Sequence, residues 1–483
     1  VLFLCACILT PKEMLEGFSN KGMITVALLF LVSEGIRQSG TLGQVIKKLL
    51  PQGKTTVFKA QLRILPSVAF ISAFLNNTPV VVIFAPIIKH WAKSVNLPAT
   101  KFLIPLSYVT ILGGICTLIG TSTNLVVHGM ILEAGFEGFS MFELGKVGIF
   151  IAIAGIIYIF LFSKRLLPDA RPDTAVPDEE VEEGEKLHRV EAVLGARFPG
   201  INKKLKDFNF QRHYGAEVKE IKTRNGQRFV SNLEDVVLHE GDTLVVMADD
   251  TFIPTWGESS VFVLLTNGNE PDTTGKKKRW FALLLLVLMI VGATVGELPV
   301  TKEMFPDIKL DMFFFVSITT IIMAWTNLFP ARKYTKYISW DILITIACAF
   351  AISKAMVNSG VADSVAKFII GLSDDYGPHV LLAMLFIITN LFTELITNNA
   401  AAALAFPLAL SIASQLGVSP TPFFVVICMA ASASFSTPIG YQTNLIVQGI
   451  GNYKFTDFVR IGLPLNIITF LISIILIPLI WNF

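Results

Sequence analysis

The chain has 483 residues, of which 53% are hydrophobic and 16% are charged, and its mean hydropathy is +0.63. Soluble proteins carry about a quarter charged residues, so this composition excludes a simple soluble enzyme and a disordered chain. The net charge of +2, with no basic patch interleaved with aromatics, excludes a nucleic-acid binder. Residues 164–279 hold 39 of the 76 charged residues (39 Lys and Arg plus 37 Asp and Glu), which indicates a polytopic membrane protein with one water-soluble insert.

The chain begins with an apolar run over residues 1–9. This run is too short to cross a bilayer, which takes about 20 residues. No basic region precedes it, so it does not have the pattern of a signal peptide. We expect it to be the end of a truncated transmembrane helix.

Nine apolar stretches have the length, or nearly the length, of a membrane span. They lie at residues 22–39, 102–120, 147–163, 281–296, 311–329, 340–357, 380–396, 421–436 and 462–482. Two more apolar regions, 64–90 and 397–416, contain Asn, Thr and Pro, which predicts broken helices or re-entrant hairpins. Irregular backbone at membrane depth is tolerated only where protein buries it or where it lines a wet cavity.

An internal repeat relates the two ends of the chain. A shift of about 320 residues places 73–78 on 394–399 and 119–125 on 439–445, with Asn, Gly and Thr matched in order. Matches of polar residues over such a length are not expected by chance. We therefore assign residues 1–163 to a first membrane repeat and residues 330–483 to a second, joined by connecting transmembrane helices at 280–329.

Loop charges predict that the two repeats are inverted. Residues 41–63 hold five Lys or Arg and no acid, whereas the matching residues 361–379 hold three Asp and one Lys. Basic loops stay in the cytoplasm, so the two loops are expected on opposite sides. The basic flanks of the insert place residues 164–279 in the cytoplasm, and the C-terminus is then extracytoplasmic.

The insert is predicted to contain a small α+β domain at 188–256, between an acidic linker at 164–187 and a second linker at 257–279. Alternating apolar residues at 216–221 predict a strand, residues 224–227 a hairpin turn, and residues 243–248 a second strand. The insert has no phosphate loop, metal-spaced cluster or catalytic triad. We therefore expect no enzyme activity and no organic cofactor.

Two pairs of polar clusters stand at apolar depth. The first pair is Asn76-Asn77-Thr78 and Thr397-Asn398-Asn399, preceded at one helical turn by Ser72 and Thr393. A broken helix frees N–H groups at a positive dipole end and C=O groups at a negative end, which suits an anion and cations side by side. Asn and Thr side chains supply neutral donors and oxygen ligands.

The second pair, 120–124 and 440–444, begins with glycine, which allows close backbone approach to a ligand. Neither pair contains Arg or Lys, so the charge of an anion has to be met by helix dipoles and co-bound cations, as in cation-coupled symport. Glu394 is an ionisable residue at membrane depth and a candidate coupling residue. Structural pairing, or a place at the membrane interface, is the alternative for this side chain.

At these motifs the chain resembles the divalent anion:sodium symporter family, within the wider ion-transporter superfamily. The resemblance implies substrate contacts at Asn76, Asn77, Thr78, Thr121, Thr397, Asn398, Asn399 and Tyr441. It implies two sodium sites, one formed by Ser72, Asn77 and Gly120 and the other by Thr393, Asn398 and Gly440. It also implies a homodimer that works by an elevator-type movement of a transport domain against a scaffold.

The motifs depart from the family pattern. Asn76 and Thr397 stand where the family has Ser, and Ser122-Thr123 and Gln442-Thr443 stand where it has Pro-Pro. The extra hydrogen-bond donors suit a compact tetrahedral oxyanion. Residues 208–215 and 240–244 are similar to the TrkA-C module of potassium-uptake regulators, which indicates the branch that includes sodium/sulfate transporters and implies a small regulatory ligand.

The sequence therefore predicts an all-α polytopic membrane protein with two inverted-topology repeats, broken helices, re-entrant hairpins and an inserted α+β cytoplasmic domain. The expected function is sodium-coupled symport of a divalent oxyanion, first of all sulfate, across a lipid bilayer. The expected membrane is a bacterial inner membrane or a plasma membrane. Sodium-coupled dicarboxylate symport, a proton-coupled anion antiporter using Glu394, and a ligand-gated anion channel are the alternatives.

Overall fold

The computed structural model is mostly helical, with one small sheet. It describes residues 2–169, 188–195, 197–223, 227–249, 252–256, 261–266, 276–304, 308–371 and 377–483. In this part of the chain, six helices are long and apolar enough to cross a membrane, or up to seven if the bent pair Ile342–Asn358 and Val361–Gly371 counts as one span. The predicted polytopic architecture is confirmed at this level.

The N-terminal half consists of helices joined by short connections. The helices are α1 (Leu2–Cys5), α2 (Pro11–Glu16), α3 (Lys21–Gln38), α4 (Thr41–Leu49), α5 (Val57–Ser72), α6 (Asn77–Ser94), α7 (Leu103–Gly114), α8 (Ser122–Glu133) and α9 (Gly145–Leu166). Single 3₁₀ turns lie at Gly17–Ser19 and Ala99–Lys101. The chain therefore leaves the helical conformation between α5 and α6, and again between α7 and α8.

The C-terminal half has similar elements. The helices are α12 (Lys276–Gly296), α13 (Pro299–Met304), α14 (Met312–Trp325), α15 (Tyr334–Tyr337), α16 (Trp340–Asn358), α17 (Val361–Gly371), α18 (Gly377–Leu395), α19 (Asn398–Leu416), α20 (Thr421–Ser432), α21 (Gln442–Gly451) and α22 (Phe455–Ile480). A 3₁₀ turn lies at Ala331–Lys333. The breaks between α18 and α19, and between α20 and α21, fall at the polar clusters.

The four helices that begin after these breaks each follow a residue with extended backbone. Asn76 (φ −54°, ψ 140°) precedes α6, and Thr397 (φ −69°, ψ 148°) precedes α19. Thr121 and Tyr441 are extended before α8 and α21. Pro79 lies in the first turn of α6, where its missing N–H removes no intrahelical bond.

Three predicted spans prove shorter, and one predicted interruption is displaced. Helices α7, α14 and α20 have 12, 14 and 12 residues, because the segments that follow α7 and α20 leave the helix for the breaks. Residues 397–416 were expected to be interrupted, but α19 runs without a gap from Asn398. The interruption lies just before it, at 396–397, because Thr397 is the N-cap.

The insert folds around an antiparallel sheet in the order β3-β2-β4-β1-β5. The elements are β1 (His188–Leu194), α10 (Phe210–Tyr214), β2 (Glu217–Lys222), β3 (Arg228–Phe229), β4 (Thr243–Ala248), α11 (Phe252–Trp256) and β5 (Phe262–Thr266), with 3₁₀ turns at Leu205–Asp207 and Leu233–Asp235. Both predicted strands are present, as β2 and β4. The predicted turn at 224–227 lies mostly outside the described residues, as does most of the predicted linker 164–187.

The sheet extends beyond the predicted domain end at residue 256. Strand β5 pairs with β1, with Ala192 opposite Leu265, and it lies in the segment 257–279 that was assigned to a linker. Phe262 packs against Phe198 and Tyr214 in the buried core of the insert. A short apolar strand among charged residues is hard to distinguish from a linker before its partner strand is known.

The insert packs against the helical part through α6 and α21. Lys89 Nζ in α6 lies 2.9 Å from Glu191 Oε2 in β1, and Lys222 Nζ lies 3.4 Å from Glu191 Oε1. Burial raises the pKa of Glu191, but the two ammonium groups outweigh burial and hold this pKa at about 2. The backbone at Gly241 lies against α21, because a Cβ atom there would be 2.5 Å from Leu445 Cδ1.

Exposed apolar faces mark the surface that suits lipid. On α22 the outward residues recur every four positions and are at least half exposed: Leu463, Ile467, Leu471, Ile475 and Leu479. The opposite face of this helix is buried. Apolar stripes of this length are costly in water but not in a bilayer, so α22 presents one side to lipid and the other to the protein.

Candidate functional site

Four helix N-termini that begin at predicted site residues approach one another. The N-cap residues are Asn76 of α6, Thr121 of α8, Thr397 of α19 and Tyr441 of α21. Helix N-termini present unpaired N–H groups and the positive end of the helix dipole. Their approach brings together the two halves of the chain at a place suited to an anion.

The Tyr441 hydroxyl lies among three of the predicted residues. Asn77 Nδ2 donates to Tyr441 Oη at 2.6 Å, and Thr121 Oγ1 lies 3.0 Å from the same oxygen. The Asn398 amide lies near this hydroxyl. All four side chains are buried, with exposed fractions of 8% or less. The phenol oxygen is therefore hydrogen bonded to the tip of the first broken segment and lies near the tip of the second.

Further hydrogen bonds cross between the halves. Ser122 Oγ and Thr123 Oγ1 both donate to Asn399 Oδ1 at 3.3 Å. Thr78 Oγ1 donates to Gln442 Oε1 at 3.4 Å. Each polar cluster of one half thus contacts a cluster of the other half.

The structure separates two predicted substrate residues from this set. Asn76 lines a small cavity with Val26, Leu29 and Ser33 of α3. Thr397 is exposed, and its Oγ1 accepts from Ala400 N at 3.4 Å within its own helix. Neither side chain is hydrogen bonded to the Tyr441 hydroxyl, and the Thr397 side chain instead caps α19.

The first predicted sodium site is rich in neutral oxygens. Ser72 Oγ donates to Asn77 Oδ1 at 2.7 Å. The backbone of Gly120 lies close to two carbonyl groups: a Cβ atom there would be 2.5 Å from the Gly114 carbonyl oxygen and 3.0 Å from that of Ala73. Hydroxyl, amide and carbonyl oxygens are the ligands that hard cations take, so this set fits sodium.

The second predicted sodium site has the same construction. Thr393 Oγ1 donates to Asn398 Oδ1 at 3.2 Å and to the Ala431 carbonyl at 2.6 Å. A Cβ atom on Gly440 would lie 2.5 Å from the Thr393 carbonyl oxygen and would collide with Ser434 Oγ. Here too glycine gives backbone and hydroxyl oxygens room to converge.

Matching hydrogen bonds between a threonine side chain and the backbone occur beside both oxygen sets. Thr117 Oγ1 contacts the Ala73 carbonyl and accepts from Gly120 N. Thr437 Oγ1 donates to the Glu394 carbonyl at 3.2 Å and accepts from Gly440 N at 3.2 Å. The aligned clusters thus share hydrogen bonds as well as residue types.

Several contacting residues were missed as site residues. Ser122, Thr123 and Gln442 belong to the predicted clusters 120–124 and 440–444 but were not assigned as site residues, yet they bind Asn399 and Thr78. Their place directly after Thr121 and Tyr441 is the signal that could have found them. Glu394 lies beside the second oxygen set, and Ser436 N donates to its Oε1 at 2.9 Å.

Comparison with known proteins agrees with the predicted resemblance. The profile of the family described as citrate transporter matches residues 1–417 and 309–482. An uncharacterized transporter of Synechocystis is 30% identical, over 100% of this chain and 92% of the relative. The probable sodium/sulfate cotransporter 3 of Chlamydomonas reinhardtii is 23% identical, over 95% of this chain and 82% of the relative.

A shorter match points the same way. Sodium/sulfate cotransporter 2 of the same alga is 31% identical, over 58% of this chain and 31% of the relative. The predicted resemblance to divalent anion:sodium symporters is confirmed, and the protein is a transporter rather than an enzyme. With its helices of spanning length, the chain is an integral membrane protein that belongs to the citrate transporter family.

Proposed function

We propose that the protein is a secondary active transporter that moves a divalent oxyanion, first of all sulfate, together with sodium. The observation that carries this proposal is the meeting of four helix N-termini: those of α6, α8 and α21 at the Tyr441 hydroxyl, and that of α19, which is hydrogen bonded to α8 through Asn399. Helix N-termini and neutral donors bind an anion without a fixed positive charge. Sodium ions that travel with the anion then neutralise it.

The two oxygen sets are the proposed sodium sites. Ser72, Asn77 and the backbone near Gly120 form one, and Thr393, Asn398 and the backbone near Gly440 form the other. Asn77 also donates to the Tyr441 hydroxyl and Asn398 lies near it, so we assign each of these side chains to a cation site and to the anion site. Shared ligands couple the two kinds of binding, because ordering the amide for one ion prepares it for the other.

The close spacing of the polar groups around Tyr441 favours sulfate over a dicarboxylate as the substrate. The Tyr441 hydroxyl lies within 3.0 Å of both Asn77 Nδ2 and Thr121 Oγ1, so these polar groups are closely spaced, as a compact oxyanion requires. The names of two relatives, both sodium/sulfate cotransporters, support this choice. The family name, citrate transporter, supports the alternative of a dicarboxylate or larger carboxylate substrate.

The proposed mechanism is of the elevator type. Two inverted repeats in a homodimer would carry the site across the membrane, with the insert in the cytoplasm and the C-terminus outside. The matched hydrogen bonds at Gly120 and Gly440 support the repeat, and the opposite charges of the 41–63 and 361–379 loops support the inversion. The insert's TrkA-C-like character and its regulatory ligand belong to the same proposal.

Uptake of labelled sulfate into proteoliposomes tests the function. We expect uptake driven by an inward sodium gradient, and little uptake when choline replaces sodium or when the liposomes are empty. Equal uptake in sodium and choline would refute sodium coupling. Competition by succinate but not by unlabelled sulfate would assign the substrate to the dicarboxylates, and uptake driven by a proton gradient alone would favour the antiporter.

A further inference from the structure

We propose that Glu394 and Asn466, with Ser434 and Ser436, form a third sodium site in the C-terminal half. This inference deepens the proposed function and rests on it. The four side chains come from the end of α18, from the segment between α20 and α21, and from α22. The Glu394 carboxylate supplies a negative charge, and the others supply neutral oxygens.

Hydrogen bonds bring these residues together around the carboxylate. Glu394 Oε1 accepts from Asn466 Nδ2 at 2.8 Å and from Ser436 N at 2.9 Å. Ser434 Oγ lies 3.5 Å from Oε2, and Asn466 Nδ2 also donates to Ser436 Oγ at 2.9 Å. The carboxylate is the acceptor in each of its contacts.

The carboxylate lacks a cationic partner. In the described residues, no Lys, Arg or His nitrogen lies within ion-pair distance of Glu394, whereas Glu34 on α3 pairs with Arg37 at 2.7 Å. A carboxylate at membrane depth is costly unless a counter-charge accompanies it. A bound monovalent cation supplies that charge.

An unpaired oxygen is a second and independent sign of a ligand. Asn466 is 6% exposed, and its Oδ1 atom has no hydrogen-bond partner, although the amide nitrogen of the same group points at Glu394. Buried polar atoms without partners are rare and call for a ligand or a water. A half-turn of the amide would direct Oδ1 toward Glu394 and Ser436, where it would serve as a cation ligand.

This arrangement occurs only on one side of the predicted repeat. The alignment places Ala73 on Glu394, Gly114 on Ser434 and Cys116 on Ser436. It places Phe150 on Asn466 by the shift of 316 residues that matches Phe139-Ser140-Met141-Phe142 to Phe455-Thr456-Asp457-Phe458. These four counterparts bear no oxygen on their side chains. Each half therefore has the residues for one of the two proposed sodium sites, whereas only the C-terminal half has the residues for the third site.

An extra cation changes the charge that is moved. Sulfate with two sodium ions is neutral, and a third sodium ion makes the complex positive. An inside-negative membrane potential would then accelerate inward transport. Occupancy of the Glu394 site thus makes the cycle sensitive to voltage.

Counting bound sodium tests the site directly. Radioactive sodium is titrated onto the purified full-length chain, and each variant is first checked by gel filtration. We expect Glu394→Gln and Asn466→Leu each to bind one sodium ion fewer per chain than the wild type. Asn466→Asp, which keeps an oxygen ligand, should retain the full number. The matched control is Glu34→Gln, which removes a carboxylate that already has an arginine partner and should not change the count.

Voltage provides the second readout. Wild-type proteoliposomes should take up sulfate faster when a potassium diffusion potential makes the interior negative, and Glu394→Gln should lose this acceleration. An unchanged sodium count in Glu394→Gln would overturn the third site, as would equal losses in Asn466→Leu and Asn466→Asp. Failure of the wild type to take up sulfate with sodium would instead refute the proposed function, while the sodium count would still decide the site.

Discussion

The side-chain amide of Asn77 donates a 2.6 Å hydrogen bond to the hydroxyl of Tyr441, which lies 364 residues further along the chain. Both groups are buried, at 0% and 8% exposure. The bond ties the first turn of α6 to the N-cap of α21. A substitution at either position therefore acts on both halves at once.

Replacing Tyr441 with Phe should weaken anion binding. The change removes the oxygen that pairs with Asn77 Nδ2 and Thr121 Oγ1, and a buried unpaired donor costs about 1–3 kcal/mol. We expect the apparent affinity for sulfate to fall about tenfold, which corresponds to about 1.4 kcal/mol. The measurement is the sulfate concentration dependence of uptake.

Tyr158→Phe is the matched control for this variant. The Tyr158 hydroxyl also bridges the halves, because it donates to the Ile461 carbonyl at 3.0 Å, but it lies outside the oxygen sets. Its loss should lower thermal stability and leave the KM for sulfate unchanged. Equal effects of the two substitutions on KM would contradict a role of Tyr441 in the anion site.

Gly120→Ala and Gly440→Ala should abolish sodium activation. The added Cβ at Gly120 would be 2.5 Å from the Gly114 carbonyl oxygen, and the one at Gly440 would be 2.5 Å from that of Thr393, so the methyl groups intrude where a cation needs oxygens. Sodium titration of sulfate uptake measures the effect. Gly371→Ala is the control, because a Cβ there meets nothing within 4 Å. Normal sodium dependence in both site variants would show that these glycines are not part of the cation sites.

Breaking the ion pair between Lys89 and Glu191 should loosen the insert. Each side chain is about one-fifth exposed, and we expect Lys89→Ala or Glu191→Ala to cost about 1 kcal/mol of thermal stability. The charge-swapped double variant Lys89→Glu with Glu191→Lys should recover part of the loss. A double-mutant cycle measures the coupling energy, and a value of zero would show that the pair does not hold the insert.

The same pair fixes the pH range in which the insert stays docked. The pKa of Glu191 is held at about 2, below its usual value. A lowered pKa means that the stabilisation is fully present above the ordinary glutamate range near pH 4.5 and is lost as the pH falls toward 2. The hydrogen-exchange protection factors of β1, which correct for the pH dependence of intrinsic exchange, should therefore be the same at about pH 8 and at about pH 5, and they should be lower in Glu191→Gln at each pH.

Removing residues 169–275 should leave part of the transport activity. Among the residues that the structure describes, none that binds Tyr441 or lines the two oxygen sets lies in the insert, so we expect the site to form without it. We expect slower uptake with a sodium dependence like that of the full chain. Complete loss of uptake in a deletion variant that elutes as a folded protein would show that the insert does more than regulate.

The sequence was most informative where backbone chemistry is local. Asn76 and Thr397 occupy the N-cap positions of α6 and α19, which suit their residue types, and the repeat relates the two breaks to each other. Contacts that depend on tertiary packing could not be predicted from the sequence. Asn466 reaches Glu394 from 72 residues away, and no periodicity connects them. For the same reason β5 was assigned to a linker, since its strand character rests on pairing with β1.

Helix α6 connects the proposed ion site to the insert. Its first residue, Asn77, belongs to the proposed ion site, and Lys89, twelve positions later, contacts the insert, which on an α-helix is a separation of about 18 Å. The segment between them is one continuous and largely buried helix, with Pro86 inside it. In the proposed transport cycle, a displacement of Asn77 would be transmitted along α6 to the contact between Lys89 and β1, so the position of the insert would be coupled to the state of the proposed ion site.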